Sequence, residues 1–179
     1  MSKNSSEIIN WQNVFKYSSE FQNRKPRWVF IEEFFDRSFY EKLYNSYPKY
    51  DDTWVITNSS DKDAFHKSWN KKVTGEVTEN VEDKNFSESW NEFYHYLFTE
   101  ECNEKIRKFS GVPITRVKYF NFAYMKMGGF QLPHIHNVGP STVILMMFFS
   151  KNWKKGDPGG TYVCLEEDES TMVFEPYNL

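Results

Sequence analysis

The sequence predicts an α+β fold that is mainly β, with helices first and antiparallel strands after them. Two observations carry this expectation. Near Gly111 the apolar spacing changes from every three to four residues to every two, which is the change from a helical to an extended period. Beyond Gly111, short strand-like runs follow one another with no helical stretch between them. That order packs helices on one side of an antiparallel β body and does not suit alternating βαβ units. A third observation agrees: Phe, Tyr and Trp make up 19% of the chain, and such rings fill the wide interior of a β body. An aromatic carbohydrate-binding face is the other use for so many rings.

Residues 1–27 read as an N-terminal arm, polar with scattered rings at Trp11, Phe15 and Phe21, helical or wrapped over the body and ended by Pro26. One domain then runs over 28–179. Its first strand is expected at 28–31, which is aromatic and β-branched. SFYE at 38–41 reads as a capping box. Phe39, Leu43 and Tyr47 follow at spacing four, so a short amphipathic helix is expected over 38–47, stopped by Pro48. Residues 49–85 are polar and irregular, with a strand at 54–56 and with Phe65, His66 and Trp69 either in a loop over a site or anchoring that loop. One long helix is expected over 86–109, on the stripe Phe86, Trp90, Phe93, Leu97, Cys102, Ile106 and Phe109, with Gly111 as its C-terminal cap. Five strands should follow, at 115–126, 130–136, 142–149, 160–165 and 171–175. The acidic run EEDE at 166–169 is a solvated turn between the last two.

Composition excludes several classes. The formal net charge is −3 with both signs mixed along the chain, unlike the basic surface of a general nucleic-acid binder. The longest apolar run, 143–149, is too short to span a bilayer. The opening MSKNSSEIINW has no leader-like apolar stretch, so neither a membrane nor secretion is expected. Cys102 and Cys164 form neither a disulfide framework nor a zinc site and suit a cytoplasmic setting. No nucleophile elbow, P-loop or dinucleotide glycine fingerprint occurs.

The sharpest local feature is GGFQLPHIH at 128–136. On a strand, His134 and His136 at i and i+2 point to one face, so both imidazoles can meet one metal ion. Imidazole suits iron, zinc, copper or nickel, and the pair does not choose among them. Two surface histidines at a strand end are the competing reading.

Six segments in order resemble the prolyl-4-hydroxylase-like Fe(II)/2-oxoglutarate-dependent dioxygenases. They are VFIEEFFDRSFYEKLYNSYP at 29–48, the helical region ending in glycine at 86–113, YMKMGGFQLPH at 124–134, VILMMFFSKNW at 143–153, GGTYV at 159–163 and EPYN at 175–178. The resemblance covers nearly the whole chain. It implies a double-stranded β-helix, a jelly-roll or cupin-like barrel with N-terminal helices packed on one side. It further implies an oxidoreductase, a hydroxylase that uses Fe(II), 2-oxoglutarate as co-substrate and ascorbate as an accessory reductant. Its substrate would be a small molecule, a glycan or a peptide. Carried over by position, His134 is the first iron ligand and Tyr124 lines the 2-oxoglutarate pocket, where a phenol can donate to a carboxylate. A core tyrosine is the competing reading of Tyr124.

Two departures matter. The second ligand position, usually Asp or Glu, is His136, which removes a negative charge from the metal site and leaves a three-His site or a degenerate, non-binding one as readings. The family's distal His and its 2-oxoglutarate-binding Arg or Lys lie well past the Pro-x-Asn turn, and here no His follows His136 and no Arg follows Arg116, so neither is expected to have a counterpart. The barrel is therefore expected to be incomplete, the chain being a fragment or completed by a partner. The rival is a cupin-type metal-binding barrel: Gly128-x5-His134-x-His136 fits its first motif, but Pro140 and Ser141 stand where its Glu should fall. A degenerate, non-catalytic binding domain is the third reading.

Overall fold

The structure, a computed structural model, describes residues 7–71, 76–77, 79–134, 139, 141–152, 154, 161–166, 170 and 172–174. The fold is α+β with antiparallel strands that form an open sheet. The expected weighting toward β is corrected, because the described residues contain more helix than strand. The chain divides into two compact units, one mainly of residues up to 47 and 78–117, the other mainly of 48–77, 118–138 and 146 onward.

The first unit is helical. The arm forms α1 (Trp11–Val14), a 3₁₀ turn (Phe15–Tyr17) and α2 (Ser18–Asn23). Residues 28–31 are not a strand. β-Propensity gives extended backbone, but a ladder needs a partner. The segment paired here is further along: Ile9 bridges Phe35, and Asn10 N–H donates to the Phe34 carbonyl at 2.9 Å. Helix α3 (Arg37–Asn45) begins one residue before the expected box, because Asp36 is the cap. Its carboxylate accepts from Ser38 N at 2.9 Å and from Phe39 N at 3.3 Å, and the Ser38 hydroxyl donates to the same oxygen. An acid meets the helix's free N–H groups with a full negative charge at the positive end of the dipole.

The expected long helix is two: α4 (Glu88–Leu97) and α5 (Glu100–Ser110). The apolar stripe runs through both, but Thr99 restarts the hydrogen bonding, its hydroxyl accepting from Cys102 N at 3.2 Å. Gly111 closes α5 at φ +68°, a left-handed conformation for which glycine carries no Cβ penalty. Phe39, Leu43, Phe93 and Tyr94 are almost wholly buried, and Phe35 meets Phe93 edge-on at 5.1 Å. Each such side chain contributes about 1.5–3 kcal/mol on leaving water.

The second unit holds the sheet. Strand β1 (Val55–Asn58) pairs with β2 (Lys62–Ser68), and β2 pairs on its other edge with both β3 (Asn121–Tyr124) and β4 (Phe130–Gln131), all antiparallel. Strand β2, which the sequence reads as irregular, is therefore the central one. β3 and β4 are two pieces of one edge, interrupted at 125–129. The interruption is a turn in which Gly129 N–H donates to the Lys126 carbonyl at 2.8 Å, with Gly128 at φ +82°. A Cβ on Gly129 would lie 2.9 Å from the Asp63 carbonyl oxygen, so glycine is needed there for space. Buried Trp69 meets Phe120 edge-on beyond the end of β2.

Strands β5 (Val163–Cys164) and β6 (Met172–Phe174) form a separate antiparallel pair, short cores of the strands expected at 160–165 and 171–175. The expected strand at 142–149 has no ladder among the described residues, and Ile144, Leu145 and Met146 are exposed. An apolar run is strand-like only where neighbours cover it.

Candidate metal centre

His134 follows β4 along the edge that pairs with β2. Leu132 N–H donates to the Asp61 carbonyl at 2.8 Å, which carries the chain past the β1–β2 turn. The His134 ring then folds back on its own segment, with Nδ1 2.9 Å from the Leu132 carbonyl oxygen. A carbonyl only accepts, so Nδ1 is the protonated nitrogen and neutral His134 carries its lone pair on Nε2. The Gln131 amide nitrogen is 3.0 Å from Nε2 and 3.4 Å from Nδ1. Two nitrogens flanking one carbon are both that close only if the amide lies toward the ring face rather than in line with the Nε2 lone pair. A backbone carbonyl on the far nitrogen is a common way in which proteins orient a metal-binding imidazole.

Asp61 is the acidic residue in the turn that this edge passes: its backbone carbonyl accepts from Leu132 N–H, two residues before His134, and its carboxylate makes no ion pair with the His134 ring. Its carboxyl is held below the ordinary range, first by the Ser59 hydroxyl, which donates at 2.6 Å, then by its own backbone N–H and by the charges of Lys62 and His134. Asp61 is a residue that sequence reasoning missed. It lies in a hairpin turn far from His134 along the chain, and only the β2–β4 pairing joins the two.

Tyr124 ends β3 opposite Phe65. Its half-exposed ring joins Tyr50, Trp54 and Phe65, at centroid distances of 5.7, 6.2 and 6.4 Å. Gln131 lies opposite Lys62, three residues from Phe65 along β2. Strand alternation therefore puts Tyr124 and Gln131 on opposite faces. His136 lies outside the described residues, as do Gly159, Gly160 and 175–178. His95 is on α4 with Nδ1 against the Asn80 side chain, which fits a helix-surface role.

His66 differs from the sequence reading, because it is a central-strand residue and does not anchor a loop. Its Nε2 is buried and is the only such side-chain atom without a hydrogen-bond partner among the described residues. Burial, and then the nearby Lys62 charge, lower its pKa below the ordinary histidine value. It stands four residues along β2 from the partner of Gln131, roughly 13 Å at strand rise, so it does not complete a site at His134. Among the described residues no three His, Cys, Asp or Glu side chains form a metal-binding group. The donor chemistry of His134 and Asp61 fits part of a divalent-metal site, one neutral imidazole and one carboxylate. No helix among the described residues is long and apolar enough to cross a membrane. No protein-family model matches this chain, and no curated protein or solved structure matches it.

Proposed function

We propose that this chain is an Fe(II)- and 2-oxoglutarate-dependent oxygenase domain of the double-stranded β-helix type, hydroxylating a small-molecule, glycan or peptide substrate. The observation that carries the reading is the orientation of His134: a backbone carbonyl on Nδ1, which leaves the lone pair on Nε2. His134 and His136 would hold the metal through imidazole. Asp61 would supply the negative charge that a His at position 136 does not. Iron bound with 2-oxoglutarate supplies oxidation of a C–H bond by O₂ as the co-substrate becomes succinate and CO₂. The chain's own part is to fix the imidazole tautomer, present the carboxylate, and seat the co-substrate. Tyr124 is the least supported member, since register sets it on the face away from Gln131.

The alternative is a cupin-type metal-binding barrel or a non-catalytic binding domain. The observation on its side is that no three-residue metal-binding group occurs among the described residues. Succinate formation from 2-oxoglutarate, with Fe(II) and ascorbate, separates the readings. The oxygenase reading expects iron-dependent turnover that falls in His134→Ala by more than the roughly 10–100-fold that loss of a ligand's outer-shell partner costs. Metal binding with no 2-oxoglutarate turnover would favour the alternative.

A further inference from the structure

On the face of the sheet that bears Tyr124, the chain has placed one of its own cations in an aromatic corner. Lys126 Nζ lies 4.2 Å from the centroid of Tyr50 and 4.3 Å from that of Phe65. Those two rings stand 5.0 Å apart with their planes at 87°, so they form two walls at a right angle with the ammonium in the angle between them. Tyr124 extends the wall beyond Tyr50, and Trp54 lies beyond both, 6.2 Å from each. Phe65 is buried, while Tyr50 is 47% exposed, so the corner has a fixed floor and an open side. Asp51, next to Tyr50, keeps its carboxylate paired with Lys67 at 3.0 Å.

We infer that this corner is a binding site for a small quaternary ammonium compound, with Lys126 as its internal occupant. Ring faces attract any cation, but they do not attract all cations equally. A primary ammonium is compact and strongly hydrated and gives up water to lie against a ring. A trimethylammonium group cannot hydrogen-bond, holds water weakly, and fills the space between two perpendicular rings with methyl groups. The same corner therefore favours the methylated cation over the lysine that now covers it. Lys126 begins the Lys126–Gly129 turn, outside the ladder, so displacing its side chain breaks no strand pairing. The inference does not need the metal: Tyr50, Phe65 and Lys126 take no part in that reading, and Tyr124, which the oxygenase reading sets in the 2-oxoglutarate pocket, only borders the corner.

The test uses choline and its neutral isostere 3,3-dimethylbutan-1-ol, with the N-methyl or tert-butyl proton resonance as the readout. Choline should bind saturably, with its methyl signal moved upfield by the ring currents. Lys126→Ala, which empties the corner, should tighten choline binding by roughly two- to thirty-fold, the range of a cation–π contact from exposed to desolvated. Tyr50→Leu, which keeps an apolar side chain on the sheet, should abolish the upfield shift. The neutral isostere should bind to Lys126→Ala roughly two- to thirty-fold more weakly than choline, the same cation–π range. Equal binding of the two compounds, or no saturable choline binding to Lys126→Ala, would overturn the inference and leave Lys126 as a surface side chain lying over rings.

Discussion

Replacing Asn91 by Leu should cost this protein more stability than its volume suggests. Asn91 lies on α4, 6% exposed, against Asp83, 3% exposed. Its side-chain oxygen accepts from Asp83 N at 2.8 Å, and its amide nitrogen donates to the Asp83 carbonyl at 3.0 Å and the Ser87 carbonyl at 3.0 Å. The side chain thus pairs with both backbone groups of one residue, as a neighbouring strand would. Leucine keeps the bulk and removes the pairing. Loss of the acceptor for a buried N–H costs about 1–3 kcal/mol, and each further bond about 0.5–1.5 kcal/mol. The extra burial of leucine offsets about 1 kcal/mol of this. The expected net loss is about 1–5 kcal/mol, or roughly 2–20 °C in Tm for a chain of this size. Urea unfolding followed by far-UV circular dichroism measures it, with the exposed neighbour change Glu92→Ala as the control. Asn91→Asp gives a sharper signature. Its carboxylate would face three carbonyl oxygens, those of Asp83, Phe86 and Ser87, so its folded pKa is raised above about 3.9. Its deficit should be small below that pH, where the acid can still donate, and should grow as pH rises. A loss below about 0.5 kcal/mol for Asn91→Leu, within the range of an ordinary surface change, would refute this account of the contact.

Three further outcomes follow from the geometry. Gly129→Ala would set a Cβ 2.9 Å from the Asp63 carbonyl oxygen. It should cost about 1–3 kcal/mol as an overpacked contact and speed hydrogen exchange at Leu132 N–H, which holds the edge to Asp61. The Asp51 carboxyl is lowered from 3.8 to about 2, first by the Thr53 hydroxyl, then by Lys67 and the Thr53 N–H. Its contribution is therefore present above 3.8 and lost as pH falls through about 2. Wild type and Asp51→Asn should converge in stability across that window, with the Asp51 pKa itself read by carboxyl-carbon NMR. Cys102 is buried, and burial followed by the Glu101 charge pushes its thiol up to about 12. In the native protein Cys164 alone should react promptly with a thiol reagent, and both cysteines should react after unfolding.

Helix ends were the most legible part of the fold. Gly111 could be read as a left-handed cap because a glycine followed by a proline ends an apolar stripe. The spacing of Phe39 and Leu43 gave α3, and the error was confined to its first turn, where Asp36 and Ser38 both offer a capping oxygen. The break at Thr99 was hidden because the stripe runs on through it, and only a hydroxyl competing for Cys102 N–H marks the restart. Strand β2 was missed for another reason. Lys62, Asp63 and Lys67 make it look like a solvated loop, and its strand character comes from β1 on one edge and from β3 and β4 on the other. The run at 142–149 shows the converse, with strong β-propensity and no partner among the described residues. At the site, the His pair was visible as spacing. The Leu132 carbonyl, the Gln131 amide and Asp61 were not, because they depend on how the edge strand folds past a distant turn.

An anaerobic Fe(II) titration tests the central claim, that His134 presents Nε2 to a metal. Wild type, His134→Ala, His136→Ala and Asp61→Asn should be compared by calorimetry, with 2-oxoglutarate then added to look for the visible charge-transfer band of its iron chelate. The account expects one saturable site in the wild type, lost in either His variant and weakened roughly ten-fold or more in Asp61→Asn, with the band only where iron is held. Equal iron binding by wild type and His134→Ala would contradict it.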